Sequence, residues 1–471
     1  MSESISSPTP LVVIPSDPFV RDDDEPPSPA PRTITGHRHP AWADVPDSDW
    51  RDWRWQAQHA VRHARQLAEL LPFTDDERRA LFELEAQYKL AIPPYYFSLI
   101  DPADPLDPIR LQSVPSPFET AGAAGTEEDD PLDEDKDSPV TGLTHRYPDR
   151  ALLVTTHVCT MYCRFCTRKR ATMKRGGWDS VSRDDRRMVE YVAAHPEIRD
   201  VIVSGGDPLT LPLEKLAFFV DSLTALPHVD VIRIGTRVPV TLPQRVDDDE
   251  LVSLLAESGK IWIQTHFNHP REVTPEAARA CDRLRMGGMP LNNHAVLLKG
   301  VNDSLECQRE LSRALLRIKV RPYYLFHCDP VTGAGHFRTP VWKGIEIIEG
   351  LRGHISGLGV PTYVVDATRG GGKIPLGPNY LISASNDSVV LRNYEGMIIH
   401  YHPTGEPLAK PSTVETQGVS GLLEGKAEVL IPEGNPRHAR RKAPSKNGNG
   451  RANGTNGHAK GPNGHANGAG H

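Results

Sequence analysis

The chain has 471 residues and a formal net charge of −7, so it carries no general cationic surface for nucleic acid. Six cysteines cannot frame so long a chain with disulfides and fit a reducing compartment. No run approaches the ~18 apolar residues of a membrane span, and the acidic, proline-bearing N-terminus lacks the basic start and apolar core of a secretory signal. The reading is a soluble cytoplasmic protein with neither nucleic acid nor membrane as a partner.

Residues 1–45 are rich in Ser, Pro and Asp, and residues 434–471 in Asn, Gly, His, Lys and Arg. Neither stretch buries enough apolar surface to offset ordering entropy, so both read as disordered. The basic run at 437–446 reads as part of a solvated tail. Residues 46–112 read as a helical module. Asp47, Ser48 and Asp49 offer an N-cap before WRDWRWQAQHAVRHARQLAELL, whose apolar residues recur at helical spacing. Trp50, Trp53 and Trp55 read there as packing residues. Residues 113–140 form a connector rich in Pro, Gly, Ala and acids.

From residue 141 the texture changes. Candidate strands at 151–156, 200–204, 229–235, 260–265, 293–298 and 320–326 alternate with helical stretches. Their spacing of about 30 residues is that of βα units. Six units predict an α/β fold with a partial (β/α)6 barrel over 141–400. A further strand at 361–367 leads into a glycine loop, a pair follows at 388–401, and residues 401–433 form an extension. In such a barrel chemistry sits at the C-terminal strand ends, and the unusual residues fall there: Cys159, Cys163 and Cys166; the string Ser204-Gly205-Gly206-Asp207; His266 and His269; and His327-Cys328-Asp329.

The cysteines are spaced C-x3-C-x2-C. Three thiolates can hold three irons of a 4Fe–4S cluster and leave the fourth iron for a small molecule, where four cysteines are the common arrangement. A zinc site is the alternative, with His157 as fourth ligand, but no second C-x-x-C follows. Gly205 and Gly206 predict a tight turn that allows close approach of a ligand, with an ordinary turn as the alternative. Lys373 closes Ala-Thr-Arg-Gly-Gly-Gly-Lys after Asp366. A phosphate loop of Walker type fails there, because Ala367 and Ile374 stand at its first and last positions. On local grounds Lys373 is either a surface lysine in a loop or a nucleophilic amine. Arg146 and Arg150 flank Tyr147 just before the first strand and suit a phosphate; an ordinary turn paired to Asp149 is the alternative. Asp329 and Asp366 follow two different strands, and two converging carboxylates call for a cation between them.

The cysteine motif, with Phe165 before its last cysteine, resembles the radical S-adenosylmethionine (SAM) superfamily. The strings DSPVTGLTHRYPDR, MYCRFCTRKR, IVSGGDPL, THFNHP, VRPYYLFHCD, VPTYVVDA and LRNYEG, with others between residues 48 and 400, resemble the lysine 2,3-aminomutase family. The resemblance implies an isomerase using the 4Fe–4S cluster, SAM and pyridoxal 5′-phosphate (PLP), and makes 141–400 the catalytic domain. It implies Cys159, Cys163 and Cys166 as cluster ligands. It makes Lys373 the catalytic lysine that carries PLP, with Arg146, Tyr147 and Arg150 around the PLP phosphate. Gly205, Gly206, Asp207 and His266 form the SAM rim. Arg168 faces the substrate carboxylate, and Asp329 and Asp366 hold the distal ammonium of lysine. A flavodoxin or ferredoxin is the implied electron donor and a free amino acid the implied substrate.

The chain also departs from that pattern. It has no cysteine after Cys328, and Ser304 stands where relatives keep a zinc ligand, so no zinc and a homodimer without a zinc bridge are expected. His294 stands in place of Gln, and Arg369 in place of a loop glycine. Arg369 keeps arginine open as the substrate beside lysine. A different class, an iron–sulfur electron-transfer or scaffold protein without PLP, is the remaining alternative. β-Lysine itself suits an osmolyte, a catabolic intermediate or an antibiotic building block.

Overall fold

The computed structural model describes residues 38–120, 127–176, 184–384 and 388–401. Most of the expected terminal segments at 1–45 and 401–471 lie outside these residues. Strands β1 (Leu143–Tyr147), β2 (Arg150–Thr156), β3 (Asp200–Gly205), β4 (Val231–Gly235), β5 (Ile261–Thr265), β6 (Leu291–Leu297), β7 (Arg321–His327), β8 (Thr362–Ala367) and β9 (Gly372–Leu376) pair in chain order as one sheet. β2 to β8 run parallel, and β1 and β9 add antiparallel at the two edges. The six expected parallel strands are present, and β8 makes a seventh. A separate antiparallel sheet holds β10 (Leu381–Ala384), β11 (Val389–Arg392) and β12 (Ile398–Tyr401).

Period-two alternation shapes the barrel. Val201 and Val203 on β3, and Ile232 and Ile234 on β4, are fully buried under the outer helices. Their alternates Ile202, Ser204, Arg233 and Gly235 line the interior cavity. The helix Leu213–Thr224 answers with Leu216, Phe219, Val220 and Leu223 on its buried face, at the spacing of one helical stripe. Helices Asp185–Ala193, Asp249–Glu257, Pro275–Met286, Leu305–Arg317 and Val341–Leu351 make the other crossovers.

No ladder joins β9 to β1 among the described residues. A side chain bridges the gap: the Tyr147 hydroxyl on β1 accepts from the Lys373 backbone N–H on β9 at 2.8 Å. Gly372 has φ +81°, and a Cβ there would stand 3.0 Å from that hydroxyl. The positive φ favours glycine at the seam, and a Cβ there would press on the hydroxyl.

Two expectations change. The helix expected from residue 50 onward is broken into Asp47–Arg51, Trp53–Gln58 and Ala64–Leu70. Asp52 ends the first and caps the second through the Arg54 N–H, and Val61 is drawn into a β-bridge with Ile92. The segment 143–150, expected to precede the first strand, is a hairpin: Arg146 and Tyr147 end β1 and Arg150 begins β2.

The acidic connector folds onto the cysteine loop. Glu119 takes Arg164 through both oxygens, at 2.8 and 2.7 Å, and Lys169 at 2.7 Å. Asp129 pairs with Lys174, Asp130 and Asp135 with Arg170, Glu134 with Arg168, and Asp137 with Arg146. The connector is an electrostatic strap over the basic loop, anchored at Glu119, whose side chain is wholly buried.

Candidate active site

The barrel encloses a cavity of about 360 Å³ at the C-terminal ends of its strands. Of the candidate residues, these line it: Cys159, Cys163 and Cys166 from the loop after β2; Gly205, Gly206 and Asp207 after β3; His266 after β5; Asp329 after β7; Asp366 on β8; Lys373 on β9; Arg146, Tyr147 and Arg150 on the β1–β2 hairpin; and Arg168. His269 and Cys328, also expected at strand ends, do not: His269 caps the turn Pro270–Glu272 and Cys328 is buried in the core. His157, the alternative zinc ligand, is not among the lining residues.

The three thiols crowd one another. Burial pushes the Cys159 thiol up, and the charges of Cys166 and Cys163 push it further. Burial, then Cys163, raises Cys166 to about 11. Three thiolates in one place need a cationic centre to be stable. Among the described residues no three His, Cys, Asp or Glu side chains gather around a single ion. Three cysteines at this spacing suit a polynuclear cluster, each iron taking one sulfur.

Gly205 and Gly206 are fixed by backbone contact. Gly205 has φ +125°, and a Cβ would fall 2.4 Å from the Thr156 carbonyl oxygen; one on Gly206 would fall 2.3 Å from that of Val158. Backbone contact thus demands glycine at both positions, and both residues also line the cavity. Asp207 is structural in its contacts as well. Its carboxylate accepts from Thr236 Oγ1 at 2.7 Å, Leu209 N–H at 3.1 Å and Arg237 N–H at 2.7 Å, tying the end of β3 to that of β4. His266 differs: its Nε2 is buried with no hydrogen-bond partner. Burial, then Arg237 and His294, lowers its pKa and keeps the ring neutral.

At the opposite wall, Lys373 sits on a strand instead of in a loop. It is in register with Asp366, and its Nζ lies 2.8 Å from Asp366 Oδ2. Asp366 Oδ1 is buried without a hydrogen-bond partner, with Arg146 Nη1 4.0 Å away. Arg146 is otherwise held by Asp137 at 2.8 Å and by the Leu132 carbonyl. Arg150 pairs with Asp149 at 3.0 Å and lies 4.8 Å over the Tyr147 ring. Asp329 Oδ2 accepts from Thr167 Oγ1 at 2.6 Å. Burial raises Asp329 to about 7, with Thr167 opposing and the Asp366 charge adding. Arg168 is gripped by Glu134 at 3.0 and 3.3 Å and reaches Ser204 Oγ at 3.4 Å.

The chain as a sequence has known relatives. The radical SAM superfamily model matches residues 153–306 and the lysine-2,3-aminomutase model residues 348–458. The chain is 48% identical over 415 residues to an L-lysine 2,3-aminomutase of Clostridium subterminale, covering 86% of this chain and 99% of that protein. The chain belongs to the lysine 2,3-aminomutase family. An L-lysine 2,3-aminomutase of Acetoanaerobium sticklandii is 47% identical, covering 85% of this chain and 98% of that protein. A glutamate 2,3-aminomutase of Clostridioides difficile is 42% identical, covering 75% and 83%. The protein is thus an isomerase, a radical SAM 2,3-aminomutase, and the electron-transfer or scaffold reading gives way. Membership implies a 4Fe–4S cluster and SAM, and the crowded thiols and the unpartnered nitrogen of His266 fit both. Among the described residues no helix is long and apolar enough to cross a membrane.

Sequence reasoning missed four side chains at this site. Glu134 and Thr167 hold Arg168 and Asp329; Arg237 and Glu272 form a buried pair at 2.7 Å behind the cysteines. The match of an acidic run at 127–137 to a basic run at 164–175 was a legible signal for Glu134. Nothing local marked Arg237 or Glu272.

Proposed function

We propose that this aminomutase converts L-lysine to L-β-lysine, with PLP carried on Lys373. The observation that supports the reading is the pair Asp329 and Asp366 beside Lys373, with a buried carboxylate oxygen of Asp366 left without a donor. Two acids at one wall suit a cationic side chain, and glutamate would meet repulsion there. When bound, the cluster and SAM supply a carbon radical and PLP the electron delocalisation for nitrogen migration. The chain's own part is placement. Cys159, Cys163 and Cys166 ligate the cluster, while Gly205, Gly206, Asp207 and His266 edge the SAM site. Arg146, Tyr147 and Arg150 hold the PLP phosphate at the hairpin, Arg150 being the more exposed guanidinium. Arg168 takes the substrate carboxylate, sharing its fork with Glu134. The reading includes a flavodoxin- or ferredoxin-class electron donor and a homodimer without a zinc bridge. Its test is an anaerobic competition among lysine, arginine and glutamate with SAM, PLP and a reductant present. Lysine is expected to dominate, and preferential turnover of arginine or glutamate would overturn the assignment.

Asp329 gives this reading a pH signature. Its pKa near 7 lies above the unfolded value, so the carboxyl is protonated on the acid side and charged on the alkaline side. The groups facing it are Asp366 on β8, Lys373 on β9 and Glu134 on the strap. Lysine's side-chain ammonium stays protonated throughout this range. The KM for lysine is expected to fall about tenfold from pH 6 to pH 8. Asp329→Asn should flatten that profile and cost roughly 10- to 100-fold in kcat/KM, with PLP loading kept. A profile as steep in the variant as in the wild type would remove Asp329 from the substrate site.

Arg369 bears on arginine as the alternative. Its φ is +57°, where glycine is at ease and an L-residue is strained. Its guanidinium meets Glu128 at 2.9 Å, and it does not line the cavity. Arg369→Gly is therefore expected to change kcat/KM for lysine by less than about threefold, under ~0.7 kcal/mol. Steady-state kinetics with both amino acids checks this; a switch in preference would place Arg369 in the specificity pocket.

A further inference from the structure

Arg237 follows β4 and is buried at the inner end of the cavity. Its Nε donates to the His266 carbonyl at 3.1 Å. Its Nη2 donates to Gln112 Oε1 and Glu272 Oε1, both at 2.7 Å, with the Tyr96 hydroxyl at 3.4 Å. Its Nη1 donates to Cys163 Sγ at 2.8 Å. Glu272, wholly buried, also accepts from the Tyr96 hydroxyl at 2.7 Å and, through its other oxygen, from the Asn268 N–H at 2.6 Å. Two arms of the guanidinium thus serve the scaffold, and the third is aimed at a cysteine sulfur.

We propose that Arg237 is a positioning residue for electron entry: its donation to Cys163 Sγ raises the reduction potential of the cluster, and Glu272 behind it sets how far. The proposal rests on the reading that Cys159, Cys163 and Cys166 carry the cluster. Reduction adds one electron and no proton, so the reduced cluster is more negative by one charge. A guanidinium donating to a ligand sulfur stabilises that extra charge, and hydrogen bonds to sulfur are an established lever on cluster potential. In a buried site the effect is weakly screened. Glu272 places a carboxylate behind the guanidinium and opposes it. Tyr96 and Gln112 belong to the helical segment before the barrel, so the potential is tuned by residues outside the barrel as well.

The two charges predict opposite signs, which structural damage does not produce. In the reconstituted holoenzyme, Arg237→Gln is expected to lower the equilibrium constant for one-electron reduction at least tenfold, a shift of about 59 mV to more negative potential. Arg237→Lys should recover part of it, and Glu272→Gln should move the potential the other way. An EPR-monitored redox titration reads all three. Shifts of one sign in the Arg237→Gln and Glu272→Gln variants, or none at full iron content, overturn the proposal. A wild-type measurement covers variants that fail to fold. Protein labelled with 15N only in the arginine guanidinium groups should show a weakly coupled nitrogen in the pulsed EPR of the reduced cluster, and its absence at full iron loading rejects the contact. Wild-type protein that takes up no iron overturns the cluster reading instead, which keeps the two failures apart.

Discussion

Lys373→Arg is expected to lose activity by on the order of 10³-fold or more while the fold stays intact. A lysine that attacks an aldehyde must present a neutral amine part of the time, and a guanidinium remains charged at every working pH. Arginine would still pair with Asp366, so the variant separates chemistry from charge. Lys373 lies on an edge strand with its side chain a third exposed, and losses at such partly solvated pairs stay within about 1 kcal/mol. Alanine is the less clean choice, because it leaves buried Asp366 with only the Arg146 guanidinium, 4.0 Å away. Borohydride reduction followed by peptide mapping should mark residue 373 in the wild type and no lysine in the variant. An active Lys373→Arg enzyme, or PLP trapped on another lysine, would remove Lys373 from its role.

The second large effect is on stability. Glu119→Gln is expected to cost about 3–5 kcal/mol, a drop in Tm on the order of 10 °C. Burial alone would raise the Glu119 pKa, but Arg164 and Lys169 outweigh it and hold the carboxyl below its ordinary value. The variant keeps the shape and removes the charge, which leaves two buried cations facing a neutral amide. The same balance fixes the pH dependence. A carboxyl with a depressed folded-state pKa stabilises fully above the unfolded value near 4.3, and that stabilisation is lost as pH falls through the folded value. Thermal melts of wild type and variant should converge in acid. A variant that melts with the wild type at pH 7 would show the strap to be dispensable. Because Arg164 lies between Cys163 and Phe165, iron content is expected to fall along with Tm.

Much of the site was legible because its chemistry is carried by residue types at fixed spacing. The cysteine spacing predicted the cluster loop, and the strand-end rule sent Asp329, Asp366 and His266 toward one cavity, where all three lie. The parallel strands were readable from β-branched runs at a regular interval, since each buries one face under the helices and turns the other to the barrel interior. The glycines of the string at 204–207 were legible as a close-approach turn, but the backbone that packs against them was not. Positive φ and a missing Cβ are sequence-level properties, but what approaches the glycine is settled only when β2 and β3 pair. Lys373 was placed on a loop because three glycines precede it. The chain turns within those glycines and returns antiparallel on β8, a register that exists only once Asp366 and Lys373 face each other.

The sequence by itself determined the reaction class through its resemblance to the lysine 2,3-aminomutase family, and the candidate cluster ligands and the alternation of strands and helices through motif spacing and side-chain period, which are local properties of the chain. Tertiary structure alone decided that the acidic connector is a strap, that Tyr147 closes the barrel seam, and that Arg237 meets Cys163. The contacts of Glu134, Arg237 and Tyr147 among them join residues separated by 34 to 226 positions. Their value depends on burial, which lowers the local dielectric and turns an ordinary surface charge into a strong partner.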